Sequence, residues 1–263
     1  MKLNNKQILD ETIITKAIID CYLREFIDNL SVDVIIAGAG PSGLTAAYYL
    51  AKNGVKTIVF EKTLRPGGGI AGGGMMFNKI VVQESCLAIL KELDISYQRY
   101  QKNYYVAEAL EALGQLLAKT IKKGVKLYNA ITVEDVMIRA EHITGVVINW
   151  SAVITAQLHV DPLTIKSNFV IDATGHAAEI VRIVEKKIGA TLYTETGYVI
   201  GEKPMWADVG EQLIMNNTKE VYHNLYVTGM AANAVFGAPR MGPIFGGMFL
   251  SGKKVAELIL KKL

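Results

Sequence analysis

The stretch Val32-Asp-Val-Ile-Ile-Ala-Gly-Ala-Gly-Pro-Ser-Gly43, read together with Thr57-Ile-Val-Phe-Glu61, has the form of a complete nucleotide-binding βαβ unit. A short apolar strand, Val32 to Ala37, runs into Gly38-x-Gly40-x-x-Gly43. An Ala/Tyr/Leu-rich helix follows to about Asn53, and a second strand, Lys56 to Phe60, ends in an acid. Gly38 permits the tight turn, Gly40 lets the backbone approach a pyrophosphate, and Gly43 lets the helix pack closely on the strand. Ser42 opens the helix, whose N-terminus offers amides and partial positive charge to phosphate. Glu61 is placed to accept hydrogen bonds from ribose hydroxyls. That favours a free 2′-hydroxyl, and hence NAD, FAD or another ADP-containing ligand over NADP. A glycine fingerprint alone serves many folds; strand, helix, second strand and acid in their proper places make it specific.

Working outward, residues from about Asn5 to Leu30 form an appended amphipathic helix, with Ile8, Ile13, Ile14, Ala17, Ile18, Cys21 and Tyr22 on one side. After Glu61-Lys62 comes a second glycine cluster, Pro66-Gly-Gly-Gly-Ile-Ala-Gly-Gly-Gly-Met-Met-Phe77. It lacks the serines of a flexible linker and follows the ribose-binding acid directly, which points to a loop that covers the ligand. Helices are expected at about Val81 to Leu93 and Val106 to Lys123, the latter ended by Gly124. Strands Val125 to Tyr128, Ile131 to Arg139 and Ile143 to Trp150 read as a meander, a strand-rich insertion spanning about residues 125–170. Asn168 to Asp172 is a further strand leading into the Thr174-Gly175 turn and a helix to about Lys187. Asn224 to Gly229 reads as a strand returning to the nucleotide site, and Phe245 to Leu263 as a closing helix.

The 263 residues therefore make one α/β domain, 51% hydrophobic and with 24 glycines, large enough to bury its core without staples. The two cysteines, Cys21 and Cys86, lie far apart, which excludes a disulfide framework or thiolate zinc site and leaves both as expected core residues. No apolar run is long enough to span a bilayer, and Met1-Lys-Leu-Asn-Asn-Lys6 lacks the features of a secretory signal, so a cytoplasmic location is expected. A net charge of +3, with lysines dispersed, gives nucleic-acid binding no support.

The layout resembles the glutathione reductase-like flavoproteins, in which a late strand carrying Thr-Gly-Asp closes over the flavin. Here Met230 follows Thr228-Gly229 and no second βαβ-type Gly-x-Gly-x-x-Gly unit for a pyridine nucleotide is present, which makes an FAD-dependent oxidoreductase the lesser reading. Three further segments are more specific: Leu158-His-Val-Asp-Pro162, Thr174-Gly-His176, and Gly237-Ala-Pro-Arg-Met-Gly-Pro-Ile-Phe-Gly-Gly247 with Leu250-Ser-Gly252. With the first glycine motif, Glu61-Lys62 and the triple glycine at 67–69, they resemble the thiamine thiazole synthases of the Thi4 family over nearly the whole chain.

That resemblance implies a Rossmann-like fold and an enzyme that consumes NAD and glycine, expels nicotinamide and builds an adenylated thiazole carboxylate. It implies a homo-oligomer, an octamer in the family. It places NAD against Gly38, Gly40, Ser42, Gly43, Glu61, Lys62, Gly69, Val133, His159, Val160 and Met230. Family members that donate sulfur from their own cysteine carry it two residues before the Asp of Asp-Pro, where this sequence has His159. The implication is the type that takes free sulfide and turns over with Fe(II). Ribose-1,5-bisphosphate isomerase activity, sometimes attached to archaeal relatives, is a further alternative.

Asp161 and His176 offer a hard carboxylate and a borderline imidazole, a fitting pair for a first-row divalent metal. Fifteen residues apart, they would on their own equally make an ordinary polar pair; the resemblance is what makes them the Fe(II) ligands. His159 is open between third ligand, general acid or base, and inert replacement of a thiol; an unperturbed imidazole, with a pKa near ~6.5, suits proton transfer. Arg240, set among glycines and apolar residues, is the expected anchor for the glycine carboxylate, because a guanidinium binds carboxylate through two parallel hydrogen bonds.

Overall fold

A computed structural model describes residues 9–189 and 191–263. The helices are α1 (Glu11–Asp28), α2 (Pro41–Lys52), α3 (Leu87–Glu92), α4 (Ala109–Lys122), α5 (Ser151–Thr155), α6 (Glu179–Ile188), α7 (Ala207–Asn217), α8 (Met230–Val235) and α9 (Gly246–Leu260). The strands are β1 (Ser31–Ala37), β2 (Thr57–Glu61), β3 (Lys79–Val82), β4 (Tyr97–Gln101), β5 (Tyr104–Glu108), β6 (Lys126–Asn129), β7 (Ile131–Arg139), β8 (His142–Trp150), β9 (Leu163–Asp172), β10 (Glu220–Tyr222) and β11 (Leu225–Val227). The main sheet runs β10-β11-β9-β1-β2-β6, and from β11 to β6 all neighbours are parallel. This is the Rossmann-like α/β fold expected from the glycine motif.

Alternation along β1 sorts the core into two layers. Val34 and Ile36 face one way, into a cluster with Leu44 and Leu50 of α2, Leu116 of α4 and Phe249 of α9. Ile35 and Ala37 face the other way, with Ile58 and Phe60 of β2, Ile148 of β8, Val181 of α6 and Ala231 of α8. Both faces are covered, as a parallel sheet requires. The register pairs Ala37 with Phe60 on one side and with Asp172 on the other, so β1, β2 and β9 end at one rim. Loops leaving such a rim build the ligand crevice.

Several local expectations differ from the structure. Lys79–Val82 and Tyr104–Glu108, expected at or near the starts of helices, are strands of a separate antiparallel sheet, β3-β5-β4, that precede α3 and α4. β6 is not part of the meander: it extends the parallel sheet beside β2. The antiparallel ribbon is β7, β8 and residues 163–166 of β9, while the remainder of β9 pairs with β1 and β11.

The expected helix start at Asn5 to Ile8 lies outside the described residues. The Asp10 carboxylate caps α1 by accepting from the amides of Thr12 and Ile13. Among the described residues the end of this helix is what is anchored: Phe26 packs edge-on against Tyr128 at 5.3 Å, and Lys126 pairs with Glu25 at 2.6 Å. Ile13, Ile18 and Ile27 are 66%, 65% and 62% exposed. Cys21 sits on this helix and is exposed, so only Cys86 is the core residue that was expected. Among the described residues no helix is long and apolar enough to cross a membrane.

Candidate active site

At the common rim of β1, β2 and β9 lies a cavity of about 510 Å³. Each glycine of the first motif has a distinct physical reason. Gly38 sits at φ +102°, and a Cβ there would lie 2.4 Å from the Ala173 carbonyl oxygen; at Gly43 it would lie 2.1 Å from that of Gly38. Those two glycines permit close packing between loop, helix and β9. At Gly40 an added Cβ meets no protein atom within 4 Å, and the residue lines the cavity. The space kept open there lies at the N-terminus of α2, whose free amides suit a phosphate.

The second glycine cluster folds over the first. The Gly67 amide donates to the Ala39 carbonyl at 2.8 Å, and a Cβ at Gly68 would lie 3.2 Å from the Gly40 Cα. Gly68, Gly69, Gly73, Gly74 and Met75 all line the cavity, so the cluster is a cover. Glu61 is 7% exposed and fixed at both oxygens: Oε2 accepts from the Ala39 amide at 2.9 Å, and Oε1 from the Thr63 amide and hydroxyl at 2.8 Å. It therefore pins the glycine loop while still bordering the cavity. Lys62 pairs with Glu179 across the same wall.

The Thr174-Gly-His176 turn is shaped by a residue that sequence reasoning passed over. Asp172, fully buried at the end of β9, accepts from the Thr174 amide and hydroxyl at Oδ1, and from the amides of Ile180 and Val181 at Oδ2. Burial pushes its carboxyl pKa up, and the four donors pull it back. An acid closing an apolar strand, as Glu61 closes β2, was the available signal. Between the turn and α6, Ala178 is held at φ +45°, a left-handed conformation that alanine adopts only where its surroundings impose it. On the opposite side, Ser251 of α9 ties down the β11 loop: its hydroxyl accepts from the Gly229 amide at 2.8 Å and bonds Thr228 and Thr218.

Of the expected site residues, Gly38, Gly40, Ser42, Glu61, Lys62, Gly69, Val133, His176 and Met230 line this one cavity, and Gly43 lies buried beneath it. Arg240 does not line it; 58% exposed, it reaches His176 of the lining through Glu202, with Nε 3.8 Å from Glu202 Oε2, while the other oxygen of Glu202 accepts from His176 Nδ1 at 2.6 Å. His159, Val160 and Asp161 do not line it. They occupy the exposed segment 156–162, where the Val160 carbonyl accepts from Asn149 and the Asp161 side chain has no hydrogen bond or ion pair among the described residues. Among the described residues no cluster of three or more His, Cys, Asp or Glu is arranged to hold a metal.

Fold and cavity define a Rossmann-like α/β protein whose crevice is lined by His176, a histidine tied through Glu202 to Arg240. The Thi4 family model matches residues 15–245, and the chain belongs to that family. The thiamine thiazole synthase of Methanothermobacter thermautotrophicus is 55% identical, over 97% of this chain and 99% of the relative. That of Pyrococcus horikoshii is 54% identical, over 97% and 99%. The crystal structure of Thermovibrio ammonificans THI4 superposes with a TM-score of 0.95 at 47% identity, covering 97% of this chain and 99% of that one. A geranylgeranyl bacteriochlorophyll reductase-like protein of Thermoplasma acidophilum shares the fold alone, with a TM-score of 0.57 at 15% identity, covering 88% of this chain and 78% of that one.

Proposed function

We propose that this chain is a thiamine thiazole synthase that converts NAD, glycine and free sulfide to an ADP-linked thiazole carboxylate with release of nicotinamide, in an Fe(II)-dependent reaction of many turnovers. The observation that carries the reading is 55% identity over 97% of the chain to a relative of that name. The cavity supports it. In this reading the adenosine ribose lies at Glu61 and the pyrophosphate at Gly40 and the first turn of α2. The distal ribose then points to Thr174, His176 and Met230. The glycine carboxylate rests on Arg240, and the cover at 67–75 keeps bulk water from the opened sugar.

Fe(II), when bound, supplies a Lewis acid that acidifies neighbouring C–H and O–H bonds and can hold sulfide. His176 fits this group: it lines the cavity with Nδ1 already engaged, leaving Nε2 as a donor atom. Asp161 of the same chain lies outside the cavity. We therefore assign the carboxylate ligand to Asp161 of a second copy, whose exposed 156–162 segment would enter this site. The exposed apolar row of α1 supports such self-association, in keeping with the homo-oligomer the resemblance implies.

Free sulfide is assigned as the sulfur source because His159 has no sulfur to surrender, Cys86 is buried in the core, and neither cysteine lines the cavity. Unpaired cysteines fit the cytoplasmic setting. Mass spectrometry of small molecules released from denatured protein, before and after anaerobic incubation with NAD, glycine, Fe(II) and sulfide, tests the proposal. An adenylated thiazole, or precursors still carrying ADP, is the expected result. Stoichiometric FAD, or NAD returned unchanged, would overturn it.

A further inference from the structure

We infer that Glu202 is the positioning residue of this site. It holds the His176 ring in the Nδ1–H tautomer and so leaves Nε2 bare, and it pairs with Arg240. The functional meaning of this contact rests on the proposed role of His176; its geometry does not.

Glu202 Oε1 lies 2.6 Å from His176 Nδ1, and the Glu202 side chain is only 16% exposed while the imidazole is 50% exposed. A carboxylate only accepts, so the ring nitrogen that faces it must carry the proton. In the neutral imidazole this leaves Nε2 with its lone pair free to bind a metal or take up a proton, a second-sphere arrangement that also fixes ring orientation.

The carboxylate is itself rigidly carried. The amides of Ile200, Gly201 and Lys203 donate to the carbonyls of Val235, Ala234 and Ala238 at 3.1, 3.0 and 3.1 Å, and the Arg240 amide returns a bond to the Lys203 carbonyl at 3.2 Å. A strap of residues 200–203 is thus zipped to the segment that ends in Arg240. At Gly237 an added Cβ would lie 2.6 Å from Ile200 Cγ2, so that segment runs close against the strap. With its Nε edge turned to Glu202 Oε2 at 3.8 Å, Arg240 keeps its two terminal nitrogens for another carboxylate. One acid therefore contacts both the imidazole and the guanidinium.

The test uses the full-length, metal-free protein labelled with 15N-histidine, observed by long-range 1H–15N correlation at a pH where imidazole is neutral. His176 is assigned by its absence in His176→Gln. The expected spectrum has His176 as the Nδ1–H tautomer in the wild type, retained in Glu202→Gln, whose amide oxygen can still accept, and lost to the Nε2–H form in Glu202→Ala. In parallel, Co(II) titrated by its visible absorbance should bind about 10–100-fold more weakly to Glu202→Ala and close to normally to Glu202→Gln. A wild-type His176 found as Nε2–H overturns the inference with no variant needed. So does a Glu202→Ala protein with unchanged tautomer. If His176→Ala binds Co(II) as the wild type does, the metal reading fails instead, and the tautomer spectrum alone decides the role of Glu202.

Discussion

At the scale of single residues, the glycines and acids of the crevice separate ligand contact from packing, and their variants should separate too. Gly40→Val should abolish NAD binding, measured by calorimetry, with little change in melting temperature, because the side chain would project into the cavity and touch no protein atom within 4 Å at its Cβ. Gly43→Ala should instead lower stability, since its Cβ would overlap the Gly38 carbonyl at 2.1 Å. Retained NAD affinity in Gly40→Val would remove the pyrophosphate from that position. Asp172→Asn should cost about 2 kcal/mol in chemical denaturation, because an amide nitrogen cannot accept from the buried donors that one carboxylate oxygen now satisfies. His176→Ala should lose metal-dependent product while keeping NAD affinity. Arg240→Ala should raise the KM for glycine at least tenfold, and wild-type glycine dependence would take Arg240 out of the site.

At the scale of elements, what the chain revealed in advance was local, and what it concealed was pairing. The turn at Gly38, the helix stop at Gly124 with φ +95°, and the strand ending in Glu61 are each decided by neighbours a few residues away. Lys79–Val82 and Tyr104–Glu108 are short apolar runs abutting helical patterns, and a four- or five-residue run does not distinguish strand from helix by period. Their identity comes from pairing with each other, which periodicity does not encode. The same holds for β6, whose register partners in β2, such as Glu61 for Asn129, stand 68 positions away in the chain. Glu202 left no mark in the sequence, because it reaches His176 only through the strap folded onto the Arg240 segment. The glycine-rich cover was legible as a cover, and it yields a prediction at this scale. Gly73 sits at φ +70°, with an added Cβ 2.3 Å from the Phe77 carbonyl oxygen. Gly73→Val should displace the cover and weaken NAD binding while Gly72→Ala, which meets nothing within 4 Å, should not.

At the scale of the whole molecule, one chain holds the crevice, His176 and, through Glu202, Arg240 together and leaves Asp161 on an exposed segment, so the proposed chemistry requires more than one copy. Ile18→Glu on the exposed row of α1 should reduce the mass observed by light scattering and reduce product formation with it. A variant that remained fully assembled and active would move the contact elsewhere. The central claim is a thiazole synthase fed by free sulfide and not by its own thiols. The most direct measurement is the number of thiazole products per chain, counted anaerobically with NAD, glycine and Fe(II), with and without sulfide, alongside the intact mass of the protein. Many products per chain, none without sulfide, and an unaltered chain are expected. A single product per chain formed without sulfide, with Cys21 or Cys86 converted to dehydroalanine, would contradict it.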